Sequence, residues 1–208
     1  MIENISINAH SSIRIEGSKV LYFDPFLVEN TPHDADIILI THDHHDHLDP
    51  ASIDKVSNEH TIFIGPESIK KSLRKAACER PQYFLAPGEE IDLAGITVRA
   101  VPAYNKLKPF HPKHNRWIGY VVTMGGIRYY IAGDTDAVKD LYDIQCDIAL
   151  VPVGGTYTMT AQEAAKLVNQ IQPKIAVPTH YGSIAGDMED GDHFCALVDK
   201  KIKTLTKI

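Results

Sequence analysis

The chain has 208 residues, of which 44% are hydrophobic, and its formal net charge is −6 at pH 7. This length and composition fit a single globular domain spanning residues 1–208. The acidic balance argues against a protein that coats nucleic acid, because such proteins present a basic face.

We also expect a cytoplasmic protein that does not enter a membrane. The N-terminus shows no basic segment followed by an apolar one, and no apolar run approaches the length needed to cross a bilayer. The three cysteines lie far apart and belong to no motif, which is typical of a reducing compartment. Self-association into a homo-oligomer is left open.

Apolar, β-branched runs predict strands along most of the chain, near residues 2–8, 12–16, 19–23, 36–41, 61–64, 96–103, 117–124, 127–132, 147–152 and 174–178. Helices are predicted after Pro50, over 66–79, over 160–170 and over 192–201. Asp49 followed by Pro50 marks one helix start, and Thr160 with Glu163 forms a capping box at another. Early hairpins followed by strands alternating with helices predict an α/β fold with two mixed sheets packed face to face and helices outside.

Histidines are concentrated in the stretch THDHHDHLDP, residues 41–50, where four of the eleven histidines fall between positions 42 and 47. The stretch directly follows the predicted strand 36–41. Neutral imidazole and carboxylate together suit zinc, manganese or iron. A His-rich surface loop is the plain alternative, but such a loop has no reason to follow a buried strand with this spacing.

The spacing HxHxDH indicates two ions rather than one. A single short loop cannot wrap four ligands around one ion without crowding. It can offer His42 and His44 to one ion and Asp46 and His47 to a neighbour, in a two-metal site with ions roughly 3.5–4 Å apart. His45 should point away into solvent.

HxHxDH after a hydrophobic strand resembles the signature of the metallo-β-lactamase superfamily, and the resemblance extends over most of the chain. Residues 8–15 and 20–26 resemble the opening hairpin of the branch that contains L-ascorbate-6-phosphate lactonase-like proteins and many metal-dependent hydrolases. Residues 151–155 and 157–159 are similar to that branch as well. The resemblance implies a four-layer αββα sandwich.

Two later motifs are similar to the superfamily's remaining ligand motifs and come in the expected order. Ala132-Gly133-Asp134 ends a strand run and resembles the Gly-Asp motif whose aspartate bridges both metals. Pro178-Thr179-His180 ends another strand run and resembles the motif whose histidine completes the second metal. Taken alone, Asp134 would be interpreted as a turn residue, and His180 as an exposed histidine or one with an ordinary hydrogen-bond partner.

One position departs from the superfamily pattern, which has a further histidine that completes the first metal site. Asn105 stands roughly where that histidine is expected. The nearest replacements are His111 and His114, of which we favour His111. The alternatives are that Asn105 or water fills the position, that the first metal is weakly held, or that the loop from 105 to 115 is simply mobile and basic.

The predicted activity is hydrolysis of a small molecule with two divalent ions, zinc first, with manganese or iron as alternatives. A metal-bound hydroxide would attack a lactone or a phosphodiester-type substrate. Asp134 would bridge the ions, and Asp46 would bind one ion and accept a proton. Substrate contacts are expected from His10, Asn105, Tyr157 and Tyr181. The alternative function is a non-hydrolytic metal-binding protein on the same fold, either a sensor or a redox protein.

Overall fold

The computed structural model describes residues 3–93 and 95–207. The chain forms two compact units, one ending at Ala86 and one beginning at Pro87. Each unit contains one mixed β-sheet with helices. Among the described residues, no helix is both long and apolar enough to span a membrane.

The first unit contains a six-stranded sheet whose spatial order follows the sequence, β1-β2-β3-β4-β5-β6. The first three strands pair antiparallel, and the pairs from β3 to β6 are parallel. Helices follow β4 and β5 and connect the parallel pairs β4–β5 and β5–β6, whereas residues 24–34 connect β3 to β4 without a helix. The elements are β1 (Ile5–Ile7), β2 (Ile13–Glu16), β3 (Val20–Phe23), β4 (Ala35–Leu39), α1 (Pro50–Val56), β5 (Ser57–Pro66), α2 (Lys70–Ala77) and β6 (Gln82–Leu85).

The second unit contains a seven-stranded sheet in the order β13-β12-β11-β10-β9-β8-β7. Its first four strands along the chain form an antiparallel meander, and the pairs from β10 to β13 are parallel. The elements are β7 (Glu90–Leu93), β8 (Ile96–Pro102), β9 (Ile118–Met124), β10 (Ile127–Ile131), β11 (Ile148–Pro152), α3 (Ala161–Ile171), β12 (Ile175–Thr179), α4 (Glu189–Leu197) and β13 (Lys203–Thr204).

Apolar runs at the centre of each sheet explain why the strands form where they do. All five residues of β11 and of β12 are buried, because these parallel strands are covered on both faces. The amphipathic helix α3 packs its apolar side, including Leu167 and Val168, into the same core as Val151. Each such side chain contributes about 1.5–3 kcal/mol when fully buried.

The helix starts predicted from sequence are confirmed at atomic level. Asp49 accepts hydrogen bonds from the backbone N–H groups of Ala51 and Ser52 at 3.2 and 3.1 Å. Thr160 accepts from the Glu163 backbone at 3.3 Å, while Glu163 accepts from the Thr160 backbone at 2.9 Å. These contacts satisfy N–H groups that have no partner inside the helix.

The element predictions fail at sheet edges and at one helix. β7 and β13 are edge strands with exposed residues, and with β6 they were not predicted. β5 is longer than predicted, and β1 begins at Ile5, while Ile2 lies outside the described residues. Helix α4 begins at Glu189 and ends at Leu197, earlier at both ends than the predicted 192–201. Its first turn is acidic, which favours a helix N-terminus.

Candidate metal centre

The HxHxDH residues of the first unit lie directly after β4 and bring their side chains together. His42 and His47 are buried, and their ring centroids are 4.0 Å apart. His42 Nε2 lies 3.0 Å from His44 Nδ1. The side chain of His45 is 79% exposed, so the prediction that it faces solvent is confirmed. The loop therefore gathers the three predicted imidazole ligands and leaves the fourth histidine outside.

Asp24 fixes the orientation of the His47 ring through a contact at Nδ1. Its carboxylate accepts hydrogen bonds from the Thr41 backbone N–H at 2.8 Å and the Thr41 hydroxyl at 2.6 Å, and it lies 2.7 Å from His47 Nδ1. The parallel pairing of β3 with β4 places Asp24 beside Thr41. Burial raises the pKa of Asp24, while His47 and Thr41 oppose that rise. Since Nδ1 faces this acceptor, Nε2 is the nitrogen of His47 that is directed elsewhere.

Sequence reasoning missed this role of Asp24. The only local signal was an aspartate placed directly after an apolar strand. Its partners Thr41 and His47 are 17 and 23 residues away along the chain, so the sequence around Asp24 does not predict them.

Asp46 faces two imidazoles of the first unit. Its Oδ2 lies 3.4 Å from Nε2 of His10 and 3.4 Å from Nε2 of His47. His10 is 1% exposed, and its backbone is left-handed with a φ of 55°. This conformation is uncommon for a residue other than glycine and turns the chain sharply between β1 and β2.

In the second unit, two histidine side chains approach one carboxylate oxygen, that of Asp134. Asp134 Oδ2 lies 3.0 Å from His180 Nε2 and 3.2 Å from His111 Nε2. All three residues are buried. Asp134 and His180 follow the ends of β10 and β12, which both pair in parallel with β11, so the two strand ends meet at one edge of the sheet.

The loop after β8 brings His111 back to this edge. Asn105 donates its backbone N–H to the His111 carbonyl at 2.7 Å, and its side-chain Oδ1 accepts the His111 backbone N–H at 3.0 Å. His111 Nδ1 also lies 3.0 Å from that oxygen. Asn105 Nδ2 is directed to Asp136 and to the Tyr157 carbonyl. The histidine and the asparagine thus occupy different positions in the loop, with the histidine next to Asp134.

Gly154 is required by the position of His180. A Cβ atom at Gly154 would overlap the His180 carbonyl oxygen. His180 itself is left-handed, with a φ of 57°, as are His10 and Asp24. Gly154 in the segment 151–155 is therefore explained by the close approach of the His180 carbonyl.

The four substrate candidates differ in accessibility. His10 and Tyr181 are each 1% exposed, and Asn105 is 5% exposed. Burial raises the pKa of Tyr181. Tyr157 is half-buried, with its ring 4.7 Å from the Phe110 ring in an edge contact. Tyr157 is the most accessible of the four.

The donor sets of both units fit a divalent metal ion. The described residues include clusters of histidine and aspartate side chains able to hold one. Imidazole nitrogens directed at a carboxylate oxygen place lone pairs face to face unless a cation or a proton lies between them. Mixed nitrogen and carboxylate donors suit zinc, manganese or iron.

Comparisons with known proteins agree with this chemistry. A sequence model of the β-lactamase superfamily domain matches residues 4–180. The UPF0173 metal-dependent hydrolase of Thermoplasma acidophilum is 34% identical, over 94% of this chain and 92% of that protein. A solved protein of Parabacteroides distasonis, named as a metal-dependent hydrolase, is 35% identical with a TM-score of 0.82, over 97% of this chain and 91% of its own.

The fold also occurs in a protein with different chemistry. CmlA of Streptomyces venezuelae, a diiron β-hydroxylase, has a TM-score of 0.79 at 14% identity, over 98% of this chain and 52% of its own. At this identity the similarity shows the fold alone.

The relatives, together with the clusters of histidine and aspartate, identify the chain as a metal-dependent hydrolase. The chain belongs to the β-lactamase superfamily and, within it, to the UPF0173 metal-dependent hydrolases. The predictions of an α/β metallo-β-lactamase fold and of an enzyme are confirmed.

Proposed function

We propose that the protein hydrolyses a lactone or a phosphodiester-type small molecule with the help of two divalent ions. The observation that carries the proposal is Asp134, whose Oδ2 lies within 3.2 Å of Nε2 of both His111 and His180. A buried carboxylate oxygen that faces two imidazole nitrogens is an arrangement suited to sharing metal ions.

The proposed ligand assignment follows the order of the motifs. His42, His44 and His111 would hold the first ion, and Asp46, His47 and His180 would hold the second. Asp134 would serve as a ligand to both. The assignment is supported by the HxHxDH spacing, by the local geometry within each unit and by membership of the superfamily. We propose zinc as the resident metal, with manganese or iron as alternatives.

When bound, two divalent ions supply Lewis acidity and lower the pKa of water. The chain's own residues then have separate tasks. Asp46 accepts a proton from the attacking water, and its Oδ2 lies within reach of His10 and His47. Asp24 keeps the His47 ring in place. Tyr157, the most accessible substrate candidate, contacts the substrate.

A substrate screen tests the activity. Protein purified without chelator is assayed against a lactone panel and against bis-p-nitrophenyl phosphate. Resemblance of residues 8–15 and 20–26 to the lactonase-like branch favours lactones, and phosphodiester hydrolysis elsewhere in the superfamily favours the phosphate ester. We expect turnover of one class that chelation abolishes and zinc or manganese restores. Turnover of neither class, in protein with a full metal complement, would contradict the proposed substrate classes.

A second candidate is redox or sensing chemistry with iron. The feature that favours it is the departure from the superfamily pattern at Asn105, where a further histidine is expected, together with a donor set of imidazole and carboxylate that also suits iron. Metal analysis of the purified protein separates the two candidates. Two equivalents of iron with a visible absorption spectrum, combined with no hydrolysis, would favour the second candidate, and zinc or manganese would exclude it.

A further inference from the structure

We propose that Asn105 is a positioning residue that holds His111 in one tautomer and one ring orientation. The inference rests on the proposed function, because it takes His111 as a metal ligand. It concerns the position where a histidine was expected. Asn105 stands there, and the structure surrounds its side chain with hydrogen-bonding partners on both sides.

The contacts determine which way the Asn105 amide points. Its Nδ2 lies 3.0 Å from Asp136 Oδ1 and 2.9 Å from the Tyr157 carbonyl oxygen, and both of these atoms can only accept. Its Oδ1 lies 3.0 Å from the His111 backbone N–H group, which can only donate. The reverse orientation would oppose like groups at all three contacts, so the network assigns oxygen and nitrogen.

The orientation of the amide then fixes the tautomer of His111. Asn105 Oδ1 also lies 3.0 Å from His111 Nδ1. Because this oxygen can only accept, Nδ1 carries the proton. A neutral imidazole protonated at Nδ1 has its lone pair on Nε2, the nitrogen that lies 3.2 Å from Asp134 Oδ2. The other tautomer would place the proton where a metal must bind.

Asp136 in turn holds the Asn105 side chain in place. Its carboxylate accepts from the Lys106 backbone N–H at 2.8 Å and from Lys108 Nζ at 3.1 Å, in addition to Asn105. Lys108 Nζ also donates to the Thr158 carbonyl. Asn105 and Asp136 are 5% and 7% exposed, so water competes little for these bonds.

The His111 ring also contacts Trp117, whose ring centroid is 5.5 Å away in an edge contact. Asp136 is two residues after Asp134, so the same short segment carries one ligand and anchors the residue that orients another. The asparagine amide makes four polar contacts, because Nδ2 donates to Asp136 and to the Tyr157 carbonyl while Oδ1 accepts two bonds from His111. A neutral histidine has only one donor and one acceptor nitrogen for these positions.

The test compares Asn105→Ala with Asn115→Ala, a half-buried asparagine of the same loop. In zinc-loaded protein, long-range ¹H–¹⁵N correlation spectra report which nitrogen of each imidazole carries the proton, and the His111→Ala spectrum assigns the His111 signals. Competition with a chelator then gives the affinity for each metal equivalent. We expect Asn105→Ala to lose the Nδ1–H preference of His111 and to bind one equivalent about 10–100-fold more weakly. Asn115→Ala should match the wild type in both measurements.

A second pair of variants keeps the test decisive if Asn105→Ala does not fold. Asn105→Asp is a stronger acceptor for His111 but loses both donations from Nδ2 and faces the Asp136 carboxylate. Repulsion between the two carboxylates should move the side chain away from His111, so one metal equivalent should bind more weakly. Adding Asp136→Asn restores a donor between the two positions and should recover part of the affinity. A double variant no better than Asn105→Asp would overturn the inference.

The outcomes separate this inference from the proposed function. If His111→Ala retains its full metal content, the ligand assignment fails. If His111→Ala loses one equivalent while Asn105→Ala keeps the wild-type tautomer and affinity, only the role of Asn105 fails.

Discussion

His47 and His111 are each held through Nδ1, but by acceptors of different charge. His47 lies against the Asp24 carboxylate at 2.7 Å, and His111 lies against the neutral Asn105 amide at 3.0 Å. A carboxylate partner raises the basicity of an imidazole ligand more than an amide does. In the proposed assignment these histidines serve different ions, so the two ions are expected to bind with unequal affinity.

Removal of the Asp24 carboxylate should weaken both the fold and the metal site. Asp24→Ala leaves the buried Thr41 N–H and hydroxyl groups without their acceptor, which costs about 1–3 kcal/mol for a buried polar group. Metal affinity should fall about 10–100-fold because His47 is no longer oriented. Urea unfolding of metal-free protein and metal titration measure the two effects.

Asp43→Ala provides the control for this substitution. Asp43 is an exposed aspartate of the same HxHxDH loop, bonded to Ser72 at 3.1 Å. Its removal should change stability by no more than about 0.5 kcal/mol. Equal metal affinities in the two variants would show that Asp24 does not orient a ligand.

Most residues proposed as ligands could be predicted from the sequence, because their spacing and their places after apolar strands are local features. His111 was also predicted, although Asn105 and water remained alternatives. The supporting contacts were not predictable in the same way. Asp24 and Asp136 act on residues that reach them only through strand pairing or loop closure, and no local pattern specifies such partners.

At the scale of elements, parallel strand ends determine where the second unit's ligands lie. β10, β11 and β12 are the parallel centre of the sheet, and their ends carry Asp134, the 151–155 segment and His180. These strands were predicted because their apolar runs are continuous. β7 and β13 were not, since an edge strand needs only one covered face and its pattern is short and partly polar.

Gly154→Ala should disturb the end of β12. The added methyl group overlaps the His180 carbonyl, and such overpacking costs about 1–3 kcal/mol. His180 is displaced as a result, so one metal equivalent should bind more weakly. Gly126→Ala is the comparison, because Gly126 has a φ of 78° but open space around it. It should lose stability through backbone strain and keep its metal affinity. Unchanged metal binding in Gly154→Ala would contradict this account.

Asp147 joins three strands and should make stability depend on pH. Its carboxylate accepts the Arg128 backbone N–H at 2.9 Å and Lys174 Nζ at 3.0 Å. The Arg128 hydrogen bond, more than Lys174, lowers the pKa of Asp147 below its ordinary 3.8, against the opposing effect of burial. The stabilisation is therefore present above pH 3.8 and is lost as the pH falls through the lower, folded-state pKa.

Asp147→Asn should accordingly destabilise metal-free protein at pH 7 by about 1–2 kcal/mol. The difference from wild type should shrink below the folded-state pKa, where the wild-type carboxyl is itself neutral. Urea unfolding at pH 7 and at a pH below the folded-state pKa measures this difference in stability, with the exposed Asp143→Asn as control. A difference that stays constant down to the most acidic pH would exclude an ionised Asp147 as its cause.

At the scale of the whole molecule, the ligand candidates are divided between the two compact units. The HxHxDH residues belong to the first, and His111, Asp134 and His180 belong to the second. Each unit therefore contributes residues to the proposed ligand set. Metal affinity would then depend on how both units fold, and binding would stabilise the entire chain.

Metal binding should raise the unfolding temperature and depend on pH. At free metal one hundred times above Kd, the gain is about 2.7 kcal/mol for one site. Chelation should reverse it. Metal should also be released as the pH falls through the range where imidazoles protonate, because only neutral histidines bind. Thermal unfolding and metal content, measured across pH with and without chelator, check this expectation. An unfolding temperature that neither metal nor chelator changes would refute it, and full turnover by metal-stripped protein would refute the proposed mechanism.

The left-handed backbone at His10, Asp24 and His180 has a consequence for a saturation library of this chain. At these three positions a replacement must satisfy the backbone as well as the site, so Gly, Asn and Asp should preserve cellular abundance best and Val, Ile and Thr worst. His42 and His47 carry no such constraint and should show no special penalty for β-branching. A ranking of the variants by abundance rather than by activity would therefore distinguish positions with a left-handed backbone from positions whose side chain alone matters for metal binding.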